Sequence, residues 1–179
     1  MTAQQFDGAA PHAGSPVSPG EALADLRPLM AEFPTGVAVV TAADADSTPW
    51  GMTCTSLCGI ALSPPTLLVC LRDGSPTLRA VLSGSGFAMH LLHDRARHVA
   101  ELFASGDPDR FSRVRWDMPP GARGPHLADV ALMIADCTVV RHDVLGDHAM
   151  VIAEVDRVSR ESSRVPLLHG QRRYAVWPR

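Results

Sequence analysis

F-P-T-G-V-A-V-V-T-A (residues 33–42) and, after a short polar turn, W-G-M-T-C-T-S-L-C-G-I-A-L-S-P-P-T-L-L-V-C-L (residues 50–71) decide the fold of this chain. Three short apolar runs, Val37–Val40, Ile60–Leu62 and Leu67–Leu71, flank a hydroxyl-rich loop, Thr53-Cys54-Thr55-Ser56. The runs have the length and the turn-residue boundaries of strands. Loops of this kind expose backbone N–H and side-chain O–H groups, which can hold an anionic, ring-bearing ligand at the end of a sheet.

Outward from this stretch, Leu23, Leu26, Leu29 and Met30 have helical spacing, so a short helix is expected over about Glu21–Glu32, ended with the help of Pro34. Asp44–Pro49 is turn chemistry and makes a hairpin into Trp50–Thr55. Ser63-Pro64-Pro65 separates strands Cys58–Leu62 and Thr66–Leu71. Ser75 suits a helix N-cap and Pro76 the first helical position, so Ser75–Leu82 is predicted helical. Phe87–Leu92 is a predicted strand and Arg95–Ala104 a helix. Asp107–Gly124 is irregular. Val130–Arg141 and Ala149–Val158 are long strands joined through Gly146-Asp147, and Leu167-Leu168 and Tyr174–Trp177 close the chain. Strands without regular βα alternation favour an antiparallel barrel with helices at its mouth over a doubly wound sheet. Gly84-Ser85-Gly86 precedes a strand rather than a helix, which excludes a dinucleotide-binding glycine loop.

The 179 residues suit one domain over 21–179, preceded by an Ala/Pro/Gly/Ser-rich tail over 1–20 that is expected to be disordered. A net charge of −3 argues against nucleic acid as a partner. The chain has neither an apolar run of membrane-spanning length nor a basic-then-apolar leader, so a cytoplasmic protein without membrane attachment is expected. All 16 basic residues are arginine, which excludes a Schiff-base or Walker-type lysine. Cys54, Cys58, Cys70 and Cys137 lack the second half of a zinc motif and read as buried, reduced thiols; no metal is expected.

Four constellations can carry chemistry, each with a plainer alternative. Pro34-Thr35-Gly36 offers a hydroxyl and close backbone approach, or is a helix-to-strand turn. Gly51–Ser56 is a cradle of N–H groups, or a polar edge strand. Arg72, Ser75 and the following helix N-terminus suit a phosphate, or are a capped helix beside a surface arginine. Gly146-Asp147-His148 places an imidazole oriented by a carboxylate, or is a hairpin turn.

Taken together and in order, these motifs resemble the short-chain flavin reductases of two-component flavin-dependent monooxygenases, in the flavin reductase-like, FMN-binding split-barrel family. The resemblance rests on F-P-T-G-V-A-V-V-T (33–41), G-M-T-C-T-S (51–56), L-S-P-P-T-L-L-V-C-L (62–71), Ser75, F-A-M-H-L-L (87–92), L-F-A (102–104), D-R-F (109–111), A-D-C-T-V (135–139), G-D-H (146–148) and P-L-L (166–168). It covers about residues 22–177. It implies a mainly β fold with short helices, a six-stranded antiparallel split β-barrel in a homodimer, with flavin near the subunit interface. By position, Pro34, Thr35 and Gly36 would approach the isoalloxazine ring. Met52, Thr53, Cys54, Thr55 and Ser56 would contact ring edge and ribityl chain, Leu71, Arg72 and Ser75 would serve the flavin phosphate, and Phe111 would help cover the site. His148 would sit beside the nicotinamide. Cys54-Thr55 stands where the second motif often carries Ala-Asn. The implied activity is an NADH-dependent flavin reductase that reduces FAD or FMN, FAD preferred, with NADPH the less expected donor. It passes diffusible reduced flavin to a separate monooxygenase. The alternatives are a flavin-binding module without reductase activity, and a barrel that only dimerises.

Overall fold

Val37, Ala38, Val39 and Val40 are all buried, which makes their strand a central one with cover on both faces. The computed structural model describes residues 24–178 and confirms this. Among the described residues there are ten strands: β1 Thr35–Gly36, β2 Ala38–Ala43, β3 Pro49–Cys54, β4 Leu57–Leu62, β5 Pro65–Arg72, β6 Gly86–Leu92, β7 Ala131–Leu145, β8 His148–Arg160, β9 Leu167–Gly170 and β10 Arg173–Val176. The helices are α1 Arg27–Glu32, α2 Pro76–Ser83 and α3 Arg97–Ala104. The expected tail over residues 1–20 lies outside the described residues, as does the start of the helix expected from Glu21. What is seen of that helix begins only at Arg27, beside Pro28, and buries none of its residues.

Seven strands form the main sheet in the order β3-β2-β6-β7-β8-β5-β4, antiparallel throughout, and β1-β9-β10 form a small second sheet. One face carries Val40, Leu67, Val69, Leu71, Phe87, Ala149 and Val151, and α2 packs Leu78, Ala80 and Val81 onto it. The opposite face, at Val37, Val39 and Leu92, is covered by α3 through Val99, Ala100 and Phe103. Two apolar layers on either side of one sheet account for a strand that is apolar at every position.

The main sheet departs from the expected six-stranded barrel in two respects. The main sheet has seven strands, and no ladder joins its edges. β4 follows β3 after only Thr55 and Ser56, pairs with β5 and so occupies the edge that β3 would need for closure. The end of β3 instead touches β5: the Cys70 N–H donates to the Ser56 carbonyl at 3.0 Å and the Cys54 thiol lies 3.6 Å from the Cys70 carbonyl.

A segment without regular strands, residues 105–130, straps the outer face. It crosses β2 and β6 where only glycine fits: a Cβ on Gly124 would stand 3.0 Å from the Ala88 N and closer still to the Thr41 backbone. The strap is tied down by the Thr41 hydroxyl, which donates to the Pro125 carbonyl at 2.6 Å. A second tie is the buried Asp136 carboxylate of β7. It accepts from the Arg123 N–H at 2.8 Å, from His126 Nε2 at 3.0 Å and from Arg157 Nη2 at 2.7 Å. Burial by itself raises the Asp136 pKa, but the His126 ring, the Arg123 N–H and the Arg157 guanidinium outweigh it and hold the carboxyl below its ordinary range.

Candidate active site

Along β5 the side chains alternate: Leu67, Val69 and Leu71 point into the core, and Leu68, Cys70 and Arg72 away from it. That second row joins two crevices. Leu68 and Cys70 line the larger, about 490 Å³, with Phe33, Thr35, Thr55 and Ser56. Arg72 is two residues further, about 7 Å along the strand. It lines the smaller, about 260 Å³, with Trp50, Met52, Ser75, Thr77 and Arg110.

The smaller crevice is built for an anion. Ser75 caps α2: its Oγ accepts the Leu78 N–H at 3.1 Å, and Pro76 fills the first helical position, as the sequence predicts. The turn that delivers Ser75 needs Gly74 at φ +69°. The Ser75 hydroxyl proton meets only the Met52 sulfur, at 4.0 Å, and remains available to a stronger acceptor. Among the described residues no carboxylate lies within ion-pair distance of Arg72. An arginine with no carboxylate in ion-pair contact, a hydroxyl and a helix N-terminus in one crevice make a good oxyanion site.

The larger crevice offers neutral donors. The N–H groups of Thr55 and Ser56 lie between β3 and β4, and neither donates to a backbone carbonyl. Thr35 reaches the crevice from β1, where it pairs with His169 of β9. Pro34 and Gly36 are exposed on either side of it. The cradle read from residues 51–56 is therefore concentrated at its last two residues.

His148 is the Cα partner of Arg72 across β5 and β8. The Asp147 carboxylate lies 2.8 Å from its Nδ1. That hydrogen bond to His148, with the nearby Arg72 guanidinium, lowers the Asp147 pKa; the bond also orients the ring and leaves Nε2 free. His148 thus stands at the Arg72 end of the row rather than beside Thr35.

Of the sequence-predicted residues, Pro34, Gly36, Thr53, Cys54, Leu71, Phe111 and His148 line neither crevice. Leu71 is fully buried in the core, because the alternation on β5 turns it inward. Thr53 faces α3 and donates to the Ala100 carbonyl at 2.6 Å. Cys54 is buried, and burial pushes its thiol up to about 11, which leaves it unreactive. Phe111 packs edge-on between Phe103 and Trp116, with ring centroids 5.2 and 6.0 Å away, and supports the crevice only through Phe103. Conversely, sequence reasoning missed Trp50, Phe103 and Arg110 as lining groups. Trp50 is held by its indole N–H on Asp44 at 2.8 Å. Phe103 lies so close to β3 that a Cβ on Gly51 would stand 2.8 Å from its ring. A third cavity, about 140 Å³ between Trp116, Asp117, His126 and Asp129, contains none of the predicted residues. Among the described residues no group of three or more His, Cys, Asp or Glu is placed to hold a metal ion, and no helix is long and apolar enough to cross a membrane.

This arrangement coincides with a known family: the flavin reductase like domain matches residues 30–178. The chain belongs to the flavin reductase-like family. Flavin reductase (NADPH) of Lentzea aerocolonigenes is 51% identical over 154 residues, covering 86% of this chain and 89% of that protein. The reductase subunit HsaB of a flavin-dependent monooxygenase from Mycobacterium tuberculosis is 30% identical over 134 residues, covering 75% of this chain and 70% of that one. The NADH:FAD oxidoreductase SgcE6 of Streptomyces globisporus C-1027, solved in complex with NAD and FAD fragments, superposes with a TM-score of 0.79 at 29% identity, over 88% of this chain and 98% of that one. This flavin reductase-like chain therefore shares its fold with proteins that meet both a flavin and a nicotinamide nucleotide.

Proposed function

We propose that this protein is an NAD(P)H:flavin oxidoreductase that reduces FAD or FMN and supplies diffusible reduced flavin to a separate monooxygenase. The observation that carries it is the row along β5, with the free Thr55 and Ser56 N–H groups beside one end and Arg72, in no ion-pair contact, with Ser75 at the other. Flavin is a substrate with a planar ring at one end and phosphate at the other, and this row matches both. The chemistry is hydride transfer from nicotinamide C4 to flavin N5, which belongs to the two nucleotides. The protein's share is to stack them with reacting atoms about 3–3.5 Å apart. The Thr55 and Ser56 N–H groups are the donors for the negative charge that grows at flavin N1–C2=O. Pro34, Thr35 and Gly36 lie against the ring, and Met52, Arg72 and Ser75 serve ribityl chain and phosphate.

The preferred pair is FAD and NADH. The NADPH relative names the direct competitor, and steady-state kcat/KM with each nucleotide and each flavin decides between them. A cytoplasmic homodimer with flavin near its interface completes the reading. It is supported by the exposed Met30 and Phe33 lining the larger crevice, with exposed Leu26 and Leu29 just before them in the chain, apolar surface of the kind that protein partners cover. Light scattering on the purified chain tests it.

Arg72→Ala loses a charge-assisted phosphate contact, worth about 1.5–3 kcal/mol. FMN and FAD affinity should fall by about 10- to 100-fold, with riboflavin unchanged. Equal loss for all three removes the phosphate role. His148→Ala should raise the KM for NAD(P)H about tenfold, the loss expected for one hydrogen bond to a substrate, and leave flavin affinity near wild type. Because His148 stands beside Arg72, the contrary result is clear: loss of FMN and FAD affinity with an unchanged nucleotide KM makes His148 part of the phosphate site.

A further inference from the structure

Arg110 reaches the smaller crevice from the strap. Two bonds to main-chain carbonyls fix its guanidinium: Nε donates to Asp107 and Nη1 to Gly51 of β3, each at 2.7 Å. The nearest acid in sequence, Asp107, is paired with Arg113 at 2.7 Å, and among the described residues no carboxylate lies within ion-pair distance of Arg110. Of its five N–H groups, three remain free, two of them on Nη2. The half-buried Arg110 guanidinium, oriented by main-chain bonds and with no carboxylate in ion-pair contact, lines the same crevice as Arg72, so the crevice presents two cationic groups to an anion.

We infer that Arg110 and Arg72 together fit this crevice to a nucleotide diphosphate, and that Arg110 is the residue that favours FAD over FMN. The inference rests on the flavin reading above. A phosphomonoester concentrates its charge on one phosphorus, which Arg72, Ser75 and the α2 N-terminus can serve alone. A diphosphate spreads its charge over two phosphorus centres and needs a second, separate cation. The half-buried Trp50 ring beside the two arginines gives the crevice an apolar wall on which a nucleotide base can lie. NAD(P)H also carries a diphosphate, so the binding experiment must separate the two sources.

The test titrates wild type, Arg110→Gln, Arg110→Lys and Arg72→Ala with riboflavin, FMN, FAD and ADP, and measures the KM for NADH. Arg110→Gln should weaken FAD and ADP by about tenfold, the effect of one charge-assisted contact. FMN should change less than threefold and riboflavin not at all, on the same scale. Arg110→Lys keeps the charge but cannot make both main-chain bonds, and should fall between. Equal weakening of riboflavin, FMN and FAD would overturn the inference and make Arg110 a strut of the strap. So would unchanged binding of FAD and ADP. Loss of ADP affinity with a raised KM for NADH and unchanged FAD would overturn the FAD assignment and give the diphosphate to the nicotinamide nucleotide. If Arg72→Ala also leaves the three flavins indistinguishable, the flavin-phosphate reading itself fails, separately from Arg110.

Discussion

Asp136→Ala lowers the stability of the protein by about 4 kcal/mol, as expected when one member of a buried ionic cluster is removed. For a chain of this length that corresponds to a fall in Tm of roughly 8–16 °C. The carboxylate is almost wholly buried, with a side-chain exposure of 2%, and its loss strands the His126 ring, the Arg123 N–H and part of the Arg157 guanidinium at once. Asp136→Asn keeps the shape but turns an amide donor toward a donor, and should cost about half as much. The pH dependence has a definite sign. The folded-state pKa of Asp136 lies below its unfolded value, so its contribution is present above about pH 4 and fades as pH falls through the folded pKa. The gap in Tm between wild type and Asp136→Ala should narrow in acid; a constant gap would show that the carboxylate acts by packing alone. Because the strap it anchors carries Phe111, backed by Trp116, against Phe103, flavin affinity should weaken along with stability.

Gly124→Ala is the second large effect, about 3 kcal/mol and roughly 6–12 °C in Tm. The obstruction is backbone rather than a flexible side chain: the new methyl would meet the Thr41 carbonyl group, with its carbon at 2.8 Å, and the Ala88 N at 3.0 Å. Relief requires the strap to lift from β2 and β6, which breaks the Thr41–Pro125 and Arg123–Asp136 hydrogen bonds. Gly74→Ala acts by another route, conformational strain at φ +69° in open space, and serves as a milder control. Thermal melts of the two variants side by side check the ordering; a Gly124→Ala protein as stable as wild type would mean that the strap does not rest on the sheet.

The parts of the fold legible in the sequence are those fixed by neighbours along the chain. Ser75 and Pro76 announce the start of α2, Gly146-Asp147 the turn between β7 and β8, and Ser63-Pro64-Pro65 the break between β4 and β5. The mainly β, antiparallel class follows from the same local signals, and the family resemblance from their order. What the sequence hides depends on pairing across the sheet. Nothing local shows that β4 takes the edge that would have closed the barrel. The β5 alternation separates Arg72 from the buried Leu71 beside it, yet both belong to one motif. Arg110 joins the crevice through Gly51, 59 positions away, and Asp136 gathers partners 13, 10 and 21 positions distant. Thr53 and Cys54 share the hydroxyl-rich loop with Thr55 and Ser56, but the strand carries the first two into α3 and the core before the chain turns toward the crevice.

The most direct test of the account is to mix the purified protein with FAD and with NADH or NADPH in the absence of oxygen, and to follow nucleotide and flavin absorbance together. The account requires protein-dependent loss of one flavin absorbance equivalent per nucleotide oxidised, saturating in both substrates and depressed in Arg72→Ala. A rate no greater than buffer with either nucleotide and either flavin, from a folded protein, would contradict it.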